Sequence, residues 1–294
     1  MTADRKKTLY LMLMAAVLIW GASFVVVDIA ISEGSSPSML AMARFIVASS
    51  IFVGYLLIKR PKGLAKGDRR TFLYLAFIGI GIYYTLQYYG VKLAGPSISA
   101  IIVMLLCPVA IFAISAWKYK EKVMPVEKLG LAVSGVGCFM VITNGSLALA
   151  TNVDVIVGGL LGVVCAVFWA VYTMQGKKVV KDYDPMTATA YITILGTFMV
   201  VPFALADVAV TGQEFPLSFF LAAVYLGVLC TVVGYVFWYT ALTGLDARTT
   251  GSSLYFEPVV TVAVAWAVLG ETIGWVSALG SVVTVVGVVI LSRK

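Results

Sequence analysis

Apolar stretches about 20 residues long recur along the whole chain, and charge is gathered into the short gaps between them. A helix of about 20 apolar residues crosses a hydrocarbon core ~30 Å thick. The stretches run over Leu9–Ile29, Met39–Ile58, Thr71–Val91, Ser97–Trp117, Pro125–Thr143, Val155–Gln175, Met186–Val208, Pro216–Leu242, Thr249–Leu269 and Ile273–Leu291. The eighth is long enough to tilt, and the fifth and tenth need flanking residues to reach both interfaces. The expected fold is an all-α polytopic membrane protein of ten transmembrane helices without a soluble domain. With 61% hydrophobic and 12% charged residues, the chain lacks the polar surface that a soluble domain of this length needs.

Loop charge orients the bundle. With the N-terminus in the cytoplasm, 19 of the 21 basic residues, from Arg5-Lys6-Lys7 to Arg293-Lys294, fall in cytoplasmic loops or at cytoplasmic helix ends; Lys92 and Arg44 are the other two. An odd number of spans breaks this segregation. Both termini are therefore expected inside, at the cytoplasmic (inner) membrane of a prokaryote. The first apolar run follows basic residues as a signal peptide would. It reaches about Val27, longer than a signal core of roughly 7–15 residues, and reads as the first span. The net charge of +7 lies in loops and forms no basic helix or aromatic-interleaved patch. The expected partners are the lipid bilayer and a small molecule, with protons as a possible coupling ion, and not nucleic acid.

The chain contains no histidine, the commonest general base and metal ligand. Cys107, Cys138, Cys165 and Cys230 all lie in apolar runs and form no CxxC pair. There is no GxSxG, no phosphate-binding glycine loop and no paired-carboxylate motif. No cofactor and no metal is expected, and a membrane-embedded enzyme is the weakest reading. A channel or a structural membrane protein is the stronger alternative to transport, although no ring of charge or carbonyl filter is evident.

A shift of 150 residues superimposes Tyr89 on Tyr239, Pro108 on Pro258, Glu121 on Glu271, Gly130 on Gly280 and Gly137 on Gly287. At nearly the same shift Trp20 falls on Trp169 and Pro37 on Pro185. The chain thus reads as two five-helix units, residues 1–146 and 147–294. Five is odd, so the second unit enters the membrane inverted, the pattern of many secondary transporters.

Ile19-Trp20-Gly21-Ala22-Ser23-Phe24, Arg44-Phe45, Glu257-Pro258-Val259 and Leu269-Gly270-Glu271, in this order and with ten spans, resemble the EamA branch of the drug/metabolite transporter superfamily. The resemblance covers nearly the whole chain. It implies a ten-helix basket with a central cavity bounded mostly by spans one, three, four, six, eight and nine. It also implies secondary transport, as export or exchange, of small polar or amphipathic metabolites such as amino acids or organic amines by alternating access. A monomer carrying both halves suffices, and a homodimer is also compatible.

Glu257 lies mid-span before Pro258, where a carboxylate is held in a cavity or by a partner. It reads either as a protonatable group that binds a cation or as a structural acid. Pro108 and Pro258 are matched mid-helix prolines, each freeing a carbonyl about four residues earlier and each a hinge candidate. Arg44 and Asp28 lie near the same membrane face and are expected to pair. The candidate cavity residues are Glu257, Tyr84, Tyr88, Gln87, Trp169, Trp238, Tyr239, Tyr255 and Trp20, an aromatic cage beside one carboxylate that suits an ammonium group. Gly130, Ser134, Gly137 and their counterparts Gly280, Thr284 and Gly287 read as close helix packing. Glu121 and Glu271 read as loop charges or caps.

Overall fold

A computed structural model describes residues 3–118, 120, 122–143, 153–270 and 274–292. Among these residues the chain is helical throughout, with no strand. Capping chemistry sets several helix starts. Helix α1 (Ala3–Ser32) turns at Gly34, whose φ of 96° lies in the left-handed region that glycine tolerates. Ser36 then caps α2 (Pro37–Lys59), its Oγ accepting from Met39 N at 3.3 Å, and Pro37 occupies the first turn. Asp184 caps α7 (Pro185–Thr211) in the same way, and Asp246 caps α10 (Ala247–Ser252) by accepting from Thr249 N at 2.9 Å.

Between α2 and α7, helix α3 (Arg69–Ala76) passes through a π-helical turn, Phe77–Gly81, into α4 (Tyr83–Lys118). Gly95 breaks α4 with φ 80° and ψ 164°. Gly90 and Ser99 would stand ~13 Å apart in a straight helix, yet they pack together, so the two arms of α4 fold back on each other. Helices α5 (Pro125–Thr143) and α6 (Val153–Val179) precede α7. Beyond it, α8 (Leu217–Tyr225) passes through a longer π segment, Leu226–Val233, into α9 (Gly234–Gly244). Helix α10 leads through a 3₁₀ turn, Ser253–Phe256, into α11 (Glu257–Leu269), and α12 (Trp275–Ser292) ends the described chain.

Among the described residues six continuous stretches are long and apolar enough to cross a membrane by themselves: Asp4–Ser32, Pro37–Lys59, Val153–Val179, Pro185–Thr211, Leu217–Gly244 and Ala247–Leu269. The other apolar helices are shorter or broken, at Gly95 above all. Glu121 and Glu271 lie outside the described residues, as does the side chain of Cys138.

The centre of the bundle is aromatic. Trp20, Tyr83, Trp169, Tyr172, Tyr235, Trp238 and Tyr239 are buried on α1, α4, α6 and α9. The outer surface is apolar as well, with Leu57, Phe198, Leu217, Val282 and many others exposed, as a lipid-facing surface requires. Helices α5 and α12 pack against each other, away from the aromatic centre. A Cβ on Gly137 would collide with Thr284, and one on Gly287 would collide with Ser134. Each contact is the other moved by 150 residues.

Candidate functional site

Three indoles meet at the middle of the bundle. Trp20 lies 5.4 Å from Trp169 and 5.3 Å from Trp238 between ring centroids, and Trp169 lies 5.8 Å from Trp238. Trp20 is fixed by its own N–H, which donates to the Cys230 carbonyl at 2.8 Å. Gly234 makes room for it, since a Cβ there would strike the indole ring. The π segment of α8–α9 presents that carbonyl, and such segments offer backbone acceptors that an α-helix keeps for itself.

Beside the indoles is a cavity of about 30 Å³, lined by Trp20, Ser23, Phe24, Arg44, Tyr83, Tyr84, Gln87, Met104, Trp169, Leu254 and Glu257. It has room for a few water molecules and none for a metabolite. Of the sequence-predicted cavity residues, Trp20, Tyr84, Gln87, Trp169 and Glu257 line it. Trp238 forms the wall behind Trp20 and Trp169. Tyr88 binds Arg44, and Tyr239 packs one layer away, 5.6 Å from Tyr172. Tyr255 is fully buried in the 3₁₀ turn before Glu257.

Glu257 is the first residue of α11 and only 1% exposed. Its Oε1 has no hydrogen-bond partner among the described residues. The position favours a carboxylate, because the first turn of a helix carries unpaired N–H groups and the positive end of the dipole. Pro258 follows it in the first helical turn, where a missing N–H does no harm. Thr261 ties this turn to α1, its hydroxyl in contact with Gly21 O at 2.8 Å and Glu257 O at 3.0 Å. Pro108, by contrast, sits inside an arm of α4 that stays helical.

Arg44 is 2% exposed. Its Nε donates to Thr231 Oγ1 at 2.8 Å, Nη1 to Tyr88 OH at 3.0 Å and Nη2 to Tyr84 OH at 3.3 Å. The guanidinium also lies over the Tyr84 ring, 4.1 Å from its centroid, and Tyr84 OH meets Tyr235 OH at 2.6 Å. These side-chain bonds of Arg44 go to hydroxyls of α4 and the second π segment rather than to Asp28, the partner expected from the sequence. Sequence reasoning missed Thr231 and Tyr235. Thr231 stands in the run Val228-Leu229-Cys230-Thr231-Val232, and a π turn leaves no composition signal that would single it out.

Polar contacts away from the cavity tie the helices together at both ends of the bundle. Toward the ends of the bundle rich in lysine and arginine, Arg248 at the start of α10 meets Glu127 of α5 at 3.2 Å and donates to Lys122 O at 3.1 Å. Lys177 of α6 donates to Leu245 O at 2.8 Å. Toward the opposite ends, Asp207 of α7 accepts from Ser36 Oγ at 2.7 Å, Ser38 N at 2.9 Å and the Tyr89 hydroxyl. One buried carboxylate thus joins α2, α4 and α7.

The model of the EamA-like transporter family matches residues 7–143 and, a second time, residues 156–293. An uncharacterized transporter of Archaeoglobus fulgidus is 31% identical over 288 residues, which cover 97% of each protein. A probable terminal-alkyne amino-acid exporter of Streptantibioticus cattleyicolor is 25% identical, over 96% of this chain and 92% of that protein. One crystal structure at 20% identity superimposes with a TM-score of 0.78 over 98% of both chains, which shows a shared fold.

Proposed function

The chain belongs to the EamA-like transporter family, and we propose that it is a secondary active transporter that exports or exchanges small polar or amphipathic metabolites by alternating access. As a member of that family it is a membrane transporter and not an enzyme. Amino acids and organic amines are the cargo class this reading favours, across the cytoplasmic membrane. Two relatives point the same way: the exporter of S. cattleyicolor and a probable amino-acid metabolite efflux pump of Salmonella typhimurium, 23% identical.

The reading includes ten spans in two inverted five-helix repeats, residues 1–146 and 147–294, with both termini cytoplasmic. The twofold family match supports it. The π turn Phe77–Gly81, moved by 150 residues, falls inside the second π segment Leu226–Val233, and the α5–α12 contacts are matched in the same way. Near-equivalent halves supply two packings of similar energy, which alternating access needs.

The single observation that carries the function is the buried, unpartnered carboxylate of Glu257 on the central cavity. It lies ten residues into the rod that starts at Ala247, about 15 Å deep at 1.5 Å per residue. Polar residues kept at such depth mark substrate or ion paths. The test is counterflow in proteoliposomes with a panel of amino acids, aromatic amines and choline-like cations, comparing the natural chain with Glu257→Gln. Saturable exchange that the substitution removes supports the reading. Exchange that survives unchanged makes Glu257 a structural residue, and no exchange with any compound favours a channel or structural role.

A further inference from the structure

The end of the bundle where α2 stops and α7 starts carries a groove of about 440 Å³, far larger than the central cavity and within the ~300–1,000 Å³ range of small-molecule sites. Its walls are apolar. Leu56 comes from the last turn of α2 and Leu64 from the loop that follows. Tyr191, Ile194 and Leu195 come from one face of α7, where residues three and four apart are neighbours. All five are half-buried and pack against the core, so the groove is cut into the bundle. Phe198, one turn beyond Ile194 on α7, is exposed, and the groove runs out there into the lipid-facing surface.

One charged residue lines this groove, Arg69 at the start of α3. It belongs to a basic segment: Lys59, Arg60, Lys62, Lys66, Arg69 and Arg70 all fall within residues 59–70, and all are exposed. Among the described residues none of the six has an ion pair, a ring contact or a side-chain hydrogen bond. Arg44, Lys177 and Arg248, in contrast, hold hydroxyls, a carbonyl and a carboxylate. The one acid of the segment, Asp68, is engaged by the Tyr183 hydroxyl at 2.7 Å. The stretch 150 residues later, 209–220, lies at the other end of the bundle and contains no basic residue.

A soluble anion would use these cations and leave the apolar walls empty. A neutral lipid would fill the walls and leave the cations unanswered. An anionic phospholipid answers both, since basic pockets between membrane helices take such headgroups. We infer that the groove binds an anionic phospholipid of the adjoining leaflet, with an acyl chain along Tyr191, Ile194 and Leu195 and the phosphate at Arg69. The site belongs to one leaflet, because the matched stretch at the other end lacks the charge. The bound lipid bridges α2, α3 and α7. The inference asks only that the chain sits in a bilayer and does not depend on which cargo it carries.

The test uses the full chain in detergent and reads the thermal unfolding midpoint as lipid is titrated in. The probes are phosphatidylglycerol and phosphatidylcholine with the same acyl chains, and glycerol 3-phosphate as a headgroup without chains. Phosphatidylglycerol is expected to raise the midpoint at a concentration roughly tenfold or more below that needed for phosphatidylcholine, and glycerol 3-phosphate to leave it unchanged. Arg69→Gln is expected to raise the half-saturating phosphatidylglycerol concentration about fivefold, the scale of one cation at a membrane surface. Lys128→Gln, an exposed lysine of α5 outside the groove, should leave it nearly unchanged. Leu195→Trp, which fills the groove and keeps every charge, should weaken phosphatidylglycerol as Arg69→Gln does; if that variant does not unfold cooperatively, the exposed Arg69 decides alone. Equal action of the two lipids, an effect of glycerol 3-phosphate that matches phosphatidylglycerol, or equal losses in Arg69→Gln and Lys128→Gln would each overturn the inference. None of these outcomes touches counterflow, so the transport reading stands or falls separately.

Discussion

Pro108 and Pro258 stand at matched places in the two halves, yet only one of them marks a break. The arm of α4 carrying Pro108 remains helical, with Cys107 buried before the proline. The rod carrying Pro258 divides into α10, a 3₁₀ turn and α11, with Glu257 at the new helix start. Either proline removes one backbone donor, so the proline is not what differs. The preceding turns are. Thr249-Thr250-Gly251-Ser252-Ser253 stands where the first half has Ser99-Ala100-Ile101-Ile102-Val103. Thr250, Ser252 and Ser253 each donate back to a carbonyl, those of Asp246, Arg248 and Thr250, at 3.0, 2.8 and 2.7 Å. Hydroxyls bonded in this way bend helices. Local hydroxyl chemistry, and not the proline alone, divides the rod of the second half at Glu257.

The sharpest way to break this contrast is to remove its chemical consequence. Glu257→Gln is expected to lower exchange by roughly 100-fold, the scale of losing one partner of a buried charged contact. Cys107→Ala, at the matched place, should stay within about threefold of the natural chain, well under one 1.4 kcal/mol step. Proteoliposome counterflow reads both, and equal losses would end the distinction. Pro258→Ala is expected to slow exchange on the order of tenfold, a ~1.4 kcal/mol effect, with Pro108→Ala nearly silent. Initial rates of exchange measure that pair.

Where the halves are alike, matched variants should behave alike. Gly137→Leu and Gly287→Leu overpack the same kind of contact and are each expected to destabilise by about 1–3 kcal/mol. Thermal unfolding in detergent should show two similar drops, and a large inequality would argue against equivalent halves. The smallest effect belongs to Tyr84→Phe. It removes the hydroxyl between Arg44 and Tyr235 at about 1 kcal/mol, to be read as a several-fold weaker cargo affinity.

Much of this was legible in the residues. Continuous apolar runs announced helices, and the Gly, Pro and Glu matches at one offset announced two related halves. Trp20, Gln87, Trp169 and Glu257 were identified as cavity residues because polar or amphipathic groups deep in apolar runs are conspicuous, and all four line the cavity. The setting of Arg44 was not legible. A lone membrane charge suggests an ionic partner, and Asp28, near the same membrane face, was the expected one. The true partners come from α4 and from a π turn, whose displaced register sets Thr231 and the Cys230 carbonyl toward the centre. The two polar contacts at the ends of the bundle were equally hidden, since Asp207 meets Ser36 across 171 residues and Arg248 meets Glu127 across 121.

The central claim is that this cavity opens to one side and then the other. The direct measurement places a single thiol there, Ser23→Cys, in a chain whose four cysteines are replaced by alanine, and labels it with a membrane-impermeant reagent from each side of the vesicle. The account predicts labelling from either side, slowed from both by an exchanged cargo, with no leak of the reagent across the membrane. Labelling confined to one side whatever the cargo, or accompanied by free passage of the reagent, would contradict it.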